Sequence, residues 1–165
     1  MKKLKKSDKP KKIQLYVQKK TAHPEAIPLR KKFQLWVKTA LQAASFDTIR
    51  PAIEITIRLV DESESAQLNQ QYRHKSGPTN ILSFSAENTL EIETYYLGDL
   101  LICVPLVLQE AAVQNKPLDM HWAHLTIHGI LHLLGYDHEK KTDAVVMEKL
   151  EILILKQLGY GNPYE

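Results

Sequence analysis

The sequence predicts an α+β fold: a small mixed sheet of about four strands packed with about five helices. Three observations carry that expectation. Residues 53–60 (IEITIRLV) alternate apolar and polar side chains, the pattern of a half-buried strand. Residues 97–104 (LGDLLICV) are apolar nearly throughout, as in a central strand covered on both faces. Around these run segments whose apolar residues recur every three or four positions, as on one face of a helix.

Taken in order, residues 1–12 hold seven Lys and almost no apolar side chain, which predicts a disordered basic arm. Residues 13–165 then form one domain, with no internal repeat and no second compositional regime. Ile13, Leu15 and Val17 alternate in a short strand. Pro24 and Pro28 mark a loop, and Phe33, Trp36, Val37, Ala40 and Leu41 stripe a helix over 29–44. The strand at 53–60 follows. Asp61, Glu62 and Glu64 sit where acids favour a helix N-terminus, so a helix runs to about Tyr72. Gly77-Pro78 is a turn, 80–85 (NILSFS) a strand, and 88–95 a polar loop. After the buried strand, Pro105 suits the first turn of a helix reaching Gln114. A helix over 118–134 is stopped by Gly135. Met147, Leu150, Ile154 and Leu158 stripe a last helix that ends at Gly159.

Composition excludes several classes. The longest apolar run, 100–108, is broken by Pro105 and falls far short of the about 20 residues that span a bilayer. No apolar stretch follows MKKLKKSDKPKK, so no secretory signal is expected. The single cysteine, Cys103, cannot form an intrachain disulfide, and a cytoplasmic setting is the default. The net charge of +3 divides into a strongly basic first 38 residues and an acidic remainder. A basic arm on an acidic body suits either a polyanion such as nucleic acid or plain solvation.

Chemistry concentrates in one segment. Five of the seven histidines lie between residues 121 and 138. His128 and His132 are four apart, so on a helix they project from one face, one turn from each other. Gly135 then turns the chain and brings His138 round as a third ligand. Three neutral imidazoles leave one tetrahedral position open, as in catalytic rather than structural zinc sites. His124, one turn earlier on the same face, is a further ligand candidate, a partner of a ligand, or a substrate contact. His121, His74 and His23 read as surface residues. Three imidazoles also accept nickel or copper. The spacing matches that of metzincin proteases, but Gly129 stands where those enzymes carry the glutamate base.

The segment His128-Gly-Ile-Leu-His132-Leu-Leu-Gly-Tyr-Asp-His138 resembles the H-G-x-L-H-L-x-G-Y-D-H signature of the YbeY endoribonucleases, also called rRNA maturation factors. Thr56-Ile-Arg-Leu-Val-Asp61, Pro78-Thr-Asn-Ile-Leu-Ser-Phe84, Leu97-Gly-Asp-Leu-Leu-Ile102 and Leu158-Gly-Tyr160 with Pro163-Tyr164 resemble further family segments, over about residues 50–165. Ser85 departs from the family's usual proline.

The resemblance implies one Zn²⁺ per chain on His128, His132 and His138, with Arg58 facing the site and these four as the catalytic set. It implies a single-strand-specific endoribonuclease acting in maturation of the 3′ end of 16S rRNA, ribosome biogenesis and ribosome quality control. Its partners would be rRNA and the small ribosomal subunit, with ribosomal proteins and assembly GTPases beside them and no membrane. Arg58 falls on the polar face of its strand, where a guanidinium can grip phosphate oxygens in two-pronged fashion; a surface ion pair with Asp61 or Glu62 is the plainer reading. Asp137 either orients a ligand imidazole or caps its turn, and Asp99, in an apolar strand, is a candidate support for the site. The rival functions are a metalloprotease-like hydrolase and a non-catalytic ribosome-assembly factor with a structural metal.

Overall fold

The structure, a computed structural model, describes residues 12–48, 50–87, 93–137 and 139–165. Residues 1–11 of the basic arm, and His138, lie outside the described residues. The elements run β1 (Lys12–Lys20), a 3₁₀ turn (Pro24–Ala26), α1 (Arg30–Ala43), β2 (Ala52–Val60), α2 (Glu62–Arg73), β3 (Ile81–Ser85), β4 (Thr94–Cys103), α3 (Val104–Val113), α4 (Leu118–Leu133) and α5 (Lys141–Gln157). The α+β expectation is met by a four-stranded mixed sheet in the order β1-β2-β4-β3. The first three strands are parallel neighbours, and β3 pairs antiparallel with β4 at the edge.

The two faces of the sheet have different covers, and the strand alternation decides which residue meets which. Ile55, Ile57 and Leu59 of β2 and Leu100 and Ile102 of β4 point to one face, where Phe33 and Trp36 of α1, Trp122 and Ile127 of α4 and Ile154 of α5 complete the main core. Phe33 meets Trp36 and Trp122 edge-to-face, with ring centroids 5.4 and 6.0 Å apart, the favoured aromatic geometry. The opposite face carries a smaller cluster of Val60, Leu82 and Leu101 beneath Leu68 of α2.

Two glycines set how the layers meet. Gly98 lies beside a register shift between β2 and β4, at φ +144°, and a Cβ there would stand 2.2 Å from the carbonyl oxygen of Phe84. Gly129 of α4 faces the sheet, and a Cβ there would come within 2.7 Å of Ile81 and 2.8 Å of Leu100. The histidine helix therefore rests directly on β3 and β4. A glutamate at 129 would drive its carboxylate into that packed contact, which explains physically why the metzincin base has no place here.

Three sequence expectations are corrected. Thr94 and Tyr95 belong to β4 rather than to a loop; Thr94 pairs with Ala52, and the Tyr95 ring packs 5.3 Å from Phe46 and under Arg50. His121 is buried at 4% exposure instead of lying on the surface. Its Nε2 lies 2.7 Å from Glu110, which satisfies that nitrogen, while Nδ1 is buried without a hydrogen-bond partner among the described residues. Asp99 is exposed, on the same face of β4 as the buried Leu101, so its carboxylate needs no buried partner.

Candidate metal centre

The carrier of the site is α4. Most of its surface is buried, and the side that is not bears His124, His128 and His132 at successive turns. Ring centroids stand 6.3 Å apart for His124 and His128, and 4.7 Å for His128 and His132. The helix ends where Gly135 adopts φ +95°, with the Tyr136 amide bonded back to the Leu131 carbonyl.

Against this row α5 lays Glu151, whose side chain is fully buried. His128 Nδ1 lies 2.5 Å from one carboxylate oxygen, and His124 Nε2 lies 2.8 Å from the other. The Tyr164 hydroxyl donates to that second oxygen as well. Burial alone would raise the Glu151 pKa, but the hydrogen bonds from His124 and His128 outweigh it and hold the carboxyl at about 2. Burial and the carboxylate both push the Tyr164 phenol upward, so it remains a donor.

One ligand atom each of His124, His128 and Glu151 lies within 4.8 Å of the others, and the group could hold a metal ion. The finer geometry favours a particular division of labour. Two ligands on one tetrahedral ion, with bonds of roughly 2.0–2.1 Å, stand roughly 3.3 Å apart. The separations of 2.5 and 2.8 Å are those of charge-assisted hydrogen bonds. A neutral imidazole that donates from Nδ1 carries its lone pair on Nε2. That is how a carboxylate orients a metal-binding histidine. The donor chemistry fits a borderline-soft divalent cation such as zinc, for which imidazole is a preferred ligand.

His128 and His132 open onto a groove of about 800 Å³ that runs beside the edge strand β3. Tyr72, Arg73, Lys75, Phe84 and Tyr136 also line it. Asp137, on the rim, accepts the Glu139 amide at 3.1 Å and so closes its turn.

Arg58 lies elsewhere. It lines a separate cavity of about 430 Å³ on the α2 face, together with Asp99. Its Nε and Nη2 each lie 2.7 Å from Glu64, and Nη1 lies 3.0 Å from Gln18. The ion pair is thus with Glu64, in the same first turn of α2 as Glu62, rather than with the Asp61 or Glu62 named from sequence. The cavity and the groove share Tyr72 and Phe84. The structure brings His128 and His132 together and leaves Arg58 across the sheet from them. His23 and His74 are exposed, as expected.

Sequence reasoning missed Glu151 and Tyr164. A signal for Glu151 was present: Met147, Glu151, Ile154 and Leu158 form one stripe, and a carboxylate on a core-facing stripe requires a partner.

Fold and site together place the chain among α+β proteins with a histidine–carboxylate centre suited to a metal. A family model described as Endoribonuclease YbeY matches residues 17–159. Proteins named Endoribonuclease YbeY from Colwellia psychrerythraea and Nitrosococcus oceani are 53% and 52% identical, covering 86% and 87% of this chain and 90% and 93% of theirs. The chain belongs to the YbeY family. The solution structure of TM1509 from Thermotoga maritima shares the fold, with a TM-score of 0.53 at 22% identity, over 88% of this chain and 91% of that one.

Proposed function

We propose that this chain is a metal-dependent endoribonuclease that cleaves single-stranded rRNA, with residues 13–165 as its catalytic domain. The observation that carries this reading is the Glu151–His128 hydrogen bond, with His132 one turn further along the groove wall. His128, His132 and His138 hold one zinc ion. Zinc bound there supplies a Lewis acid for a phosphoryl oxygen and a water of lowered pKa. The chain's own groups do the rest. Glu151 holds His128 in the Nδ1–H form. Arg73 and Lys75 bind backbone phosphates along the groove. Tyr72, exposed at 56% and edge-on to Phe84 at 5.1 Å, offers a face on which an unpaired base stacks. Such stacking selects a single strand over a duplex. Arg58, in the adjoining cavity, exchanges its Glu64 partner for a phosphate of the same strand. Among the described residues no helix is long and apolar enough to cross a membrane. We place the activity in the cytoplasm on the 3′ end of 16S rRNA, with the small ribosomal subunit and its assembly factors as partners, in ribosome biogenesis and quality control.

The test is cleavage of a single-stranded RNA with and without a chelator, beside a casein control. RNA cleavage that stops on chelation and returns with zinc is expected, with casein intact. Casein hydrolysis would return the chain to the protease reading, and metal binding without any cleavage would favour the assembly factor. The Arg58→Glu protein is expected to keep its metal and fold, since the side chain fills no core space, while RNA cleavage falls by roughly tenfold or more, the scale of one lost charge-assisted contact. Unchanged cleavage would confine Arg58 to its ion pair with Glu64.

A further inference from the structure

The segment that follows α5 does not trail into solvent. It crosses the first half of α4 and is pinned there. The Tyr160 hydroxyl donates to Asp119 at 2.5 Å, in the first turn of α4, and Asp119 is also 2.6 Å from Lys32 of α1. The Lys116 ammonium donates to the Pro163 carbonyl, and Pro163 is buried. The Tyr164 amide donates to Asn162 at 2.8 Å, which turns the chain inward. The Tyr164 ring, 49% exposed, then lies edge-on to His124 with centroids 5.4 Å apart, and its hydroxyl reaches the buried Glu151.

An imidazole releases a carboxylate when its proton moves to the other ring nitrogen, whereas a phenol hydroxyl donates whichever tautomer its neighbours adopt. Glu151 is held at both oxygens: one faces His128, and the other faces His124 and Tyr164. We propose that Tyr164 is a positioning residue of the histidine site: its hydroxyl locks the Glu151 carboxylate, and the locked carboxylate keeps His128 in the Nδ1–H tautomer that presents Nε2 to a metal. The docked segment 160–164 is thereby part of the metal centre through Glu151 and His124.

The inference rests on His128 being a metal ligand, but its first readout does not. In the full chain freed of metal and labelled with ¹⁵N-histidine, long-range ¹H–¹⁵N NMR is expected to show His128 protonated at Nδ1. In Tyr164→Phe, which keeps the ring and removes only the hydroxyl, His128 is expected to shift to a mixture of the two tautomers. The second readout is Zn²⁺ affinity by chelator competition. Groups that orient ligands are worth about 10–100-fold in metal affinity, and Tyr164→Phe, acting one step further out, is expected at about tenfold. Glu151→Gln, which keeps an acceptor for Nδ1–H but not the charge, is expected to retain the tautomer and lose affinity. A merely structural role would lower the melting temperature of Tyr164→Phe while leaving its His128 tautomer and zinc affinity at wild-type values, and that result overturns the inference. An Nε2–H tautomer in the unaltered chain overturns it equally. If the unaltered chain bound no zinc, the ligand reading above would fail, and the tautomer comparison would still decide the role of Tyr164.

Discussion

The His132→Ala protein is expected to leave purification with little or no metal and to lose RNA cleavage down to the level of the chelated parent. Residues that only orient a ligand are worth about 10–100-fold in metal affinity, so removal of a ligand itself should cost more than about 100-fold. The metal-free forms of variant and parent should melt within a few degrees of each other, because His132 is half-buried on the groove side and fills no part of the main core. Metal retention in the parent should weaken as pH falls below about 6.5, where free imidazoles take up protons and lose their lone pairs. Metal analysis by mass spectrometry checks each point. Full metal content in His132→Ala would move the ion to the neighbouring group of His124, His128 and Glu151, whose ligand atoms also cluster within 4.8 Å. The one variant therefore separates the two arrangements that α4 permits.

Gly98→Ala should be among the most destabilising single-methyl changes in the chain. Its φ of +144° is one that side-chain-bearing residues rarely adopt, and the added Cβ would stand 2.2 Å from a backbone oxygen of the neighbouring strand. Backbone strain of about 1–3 kcal/mol and overpacking of about 1–3 kcal/mol act together, for a loss of roughly 3–5 kcal/mol. Urea unfolding should show a lower midpoint at an unchanged m-value. The effect should also reach the groove. Gly98 pairs with Ser85, and the same edge strand carries Ile81 against α4 at Gly129. A loss below about 1 kcal/mol would mean that β3 shifts freely, and that the contact between sheet and histidine helix is looser than its distances indicate.

The sequence by itself determined whatever is local. The alternation of Ile53 to Val60 is carried along a single strand, and the stripe of Phe33 to Leu41 along a single helix, so both could be read from spacing alone. The histidine row belongs to the same category. His128 and His132 meet because one helix places residues four apart on one face, and Gly135 stops that helix because its own backbone tolerates φ +95°. The exclusion of a glutamate base at Gly129 was also visible as a residue type, although its cause, the contact with Ile81 and Leu100, was not.

Only the tertiary structure decided the rest. The sequence does not say how Arg58 and His128 are related in space: β2 turns Arg58 to the α2 face while α4 packs on the other, and the cavity of one meets the groove of the other at Tyr72 and Phe84. Thr94 and Tyr95 carry no strong strand pattern and became strand because Ala52 and Phe46 lie beside them. His121 is buried on α4, and Glu110 of α3 meets its Nε2 there. Glu151 reaches His128 and His124 across 23 and 27 residues of chain, and Tyr164 reaches Glu151 from the segment beyond α5. Partners so far apart leave no periodicity and no fixed spacing in a sequence. Their pairing follows from which faces of α4 and α5 the core presses together, and that is settled by the packing of the whole domain.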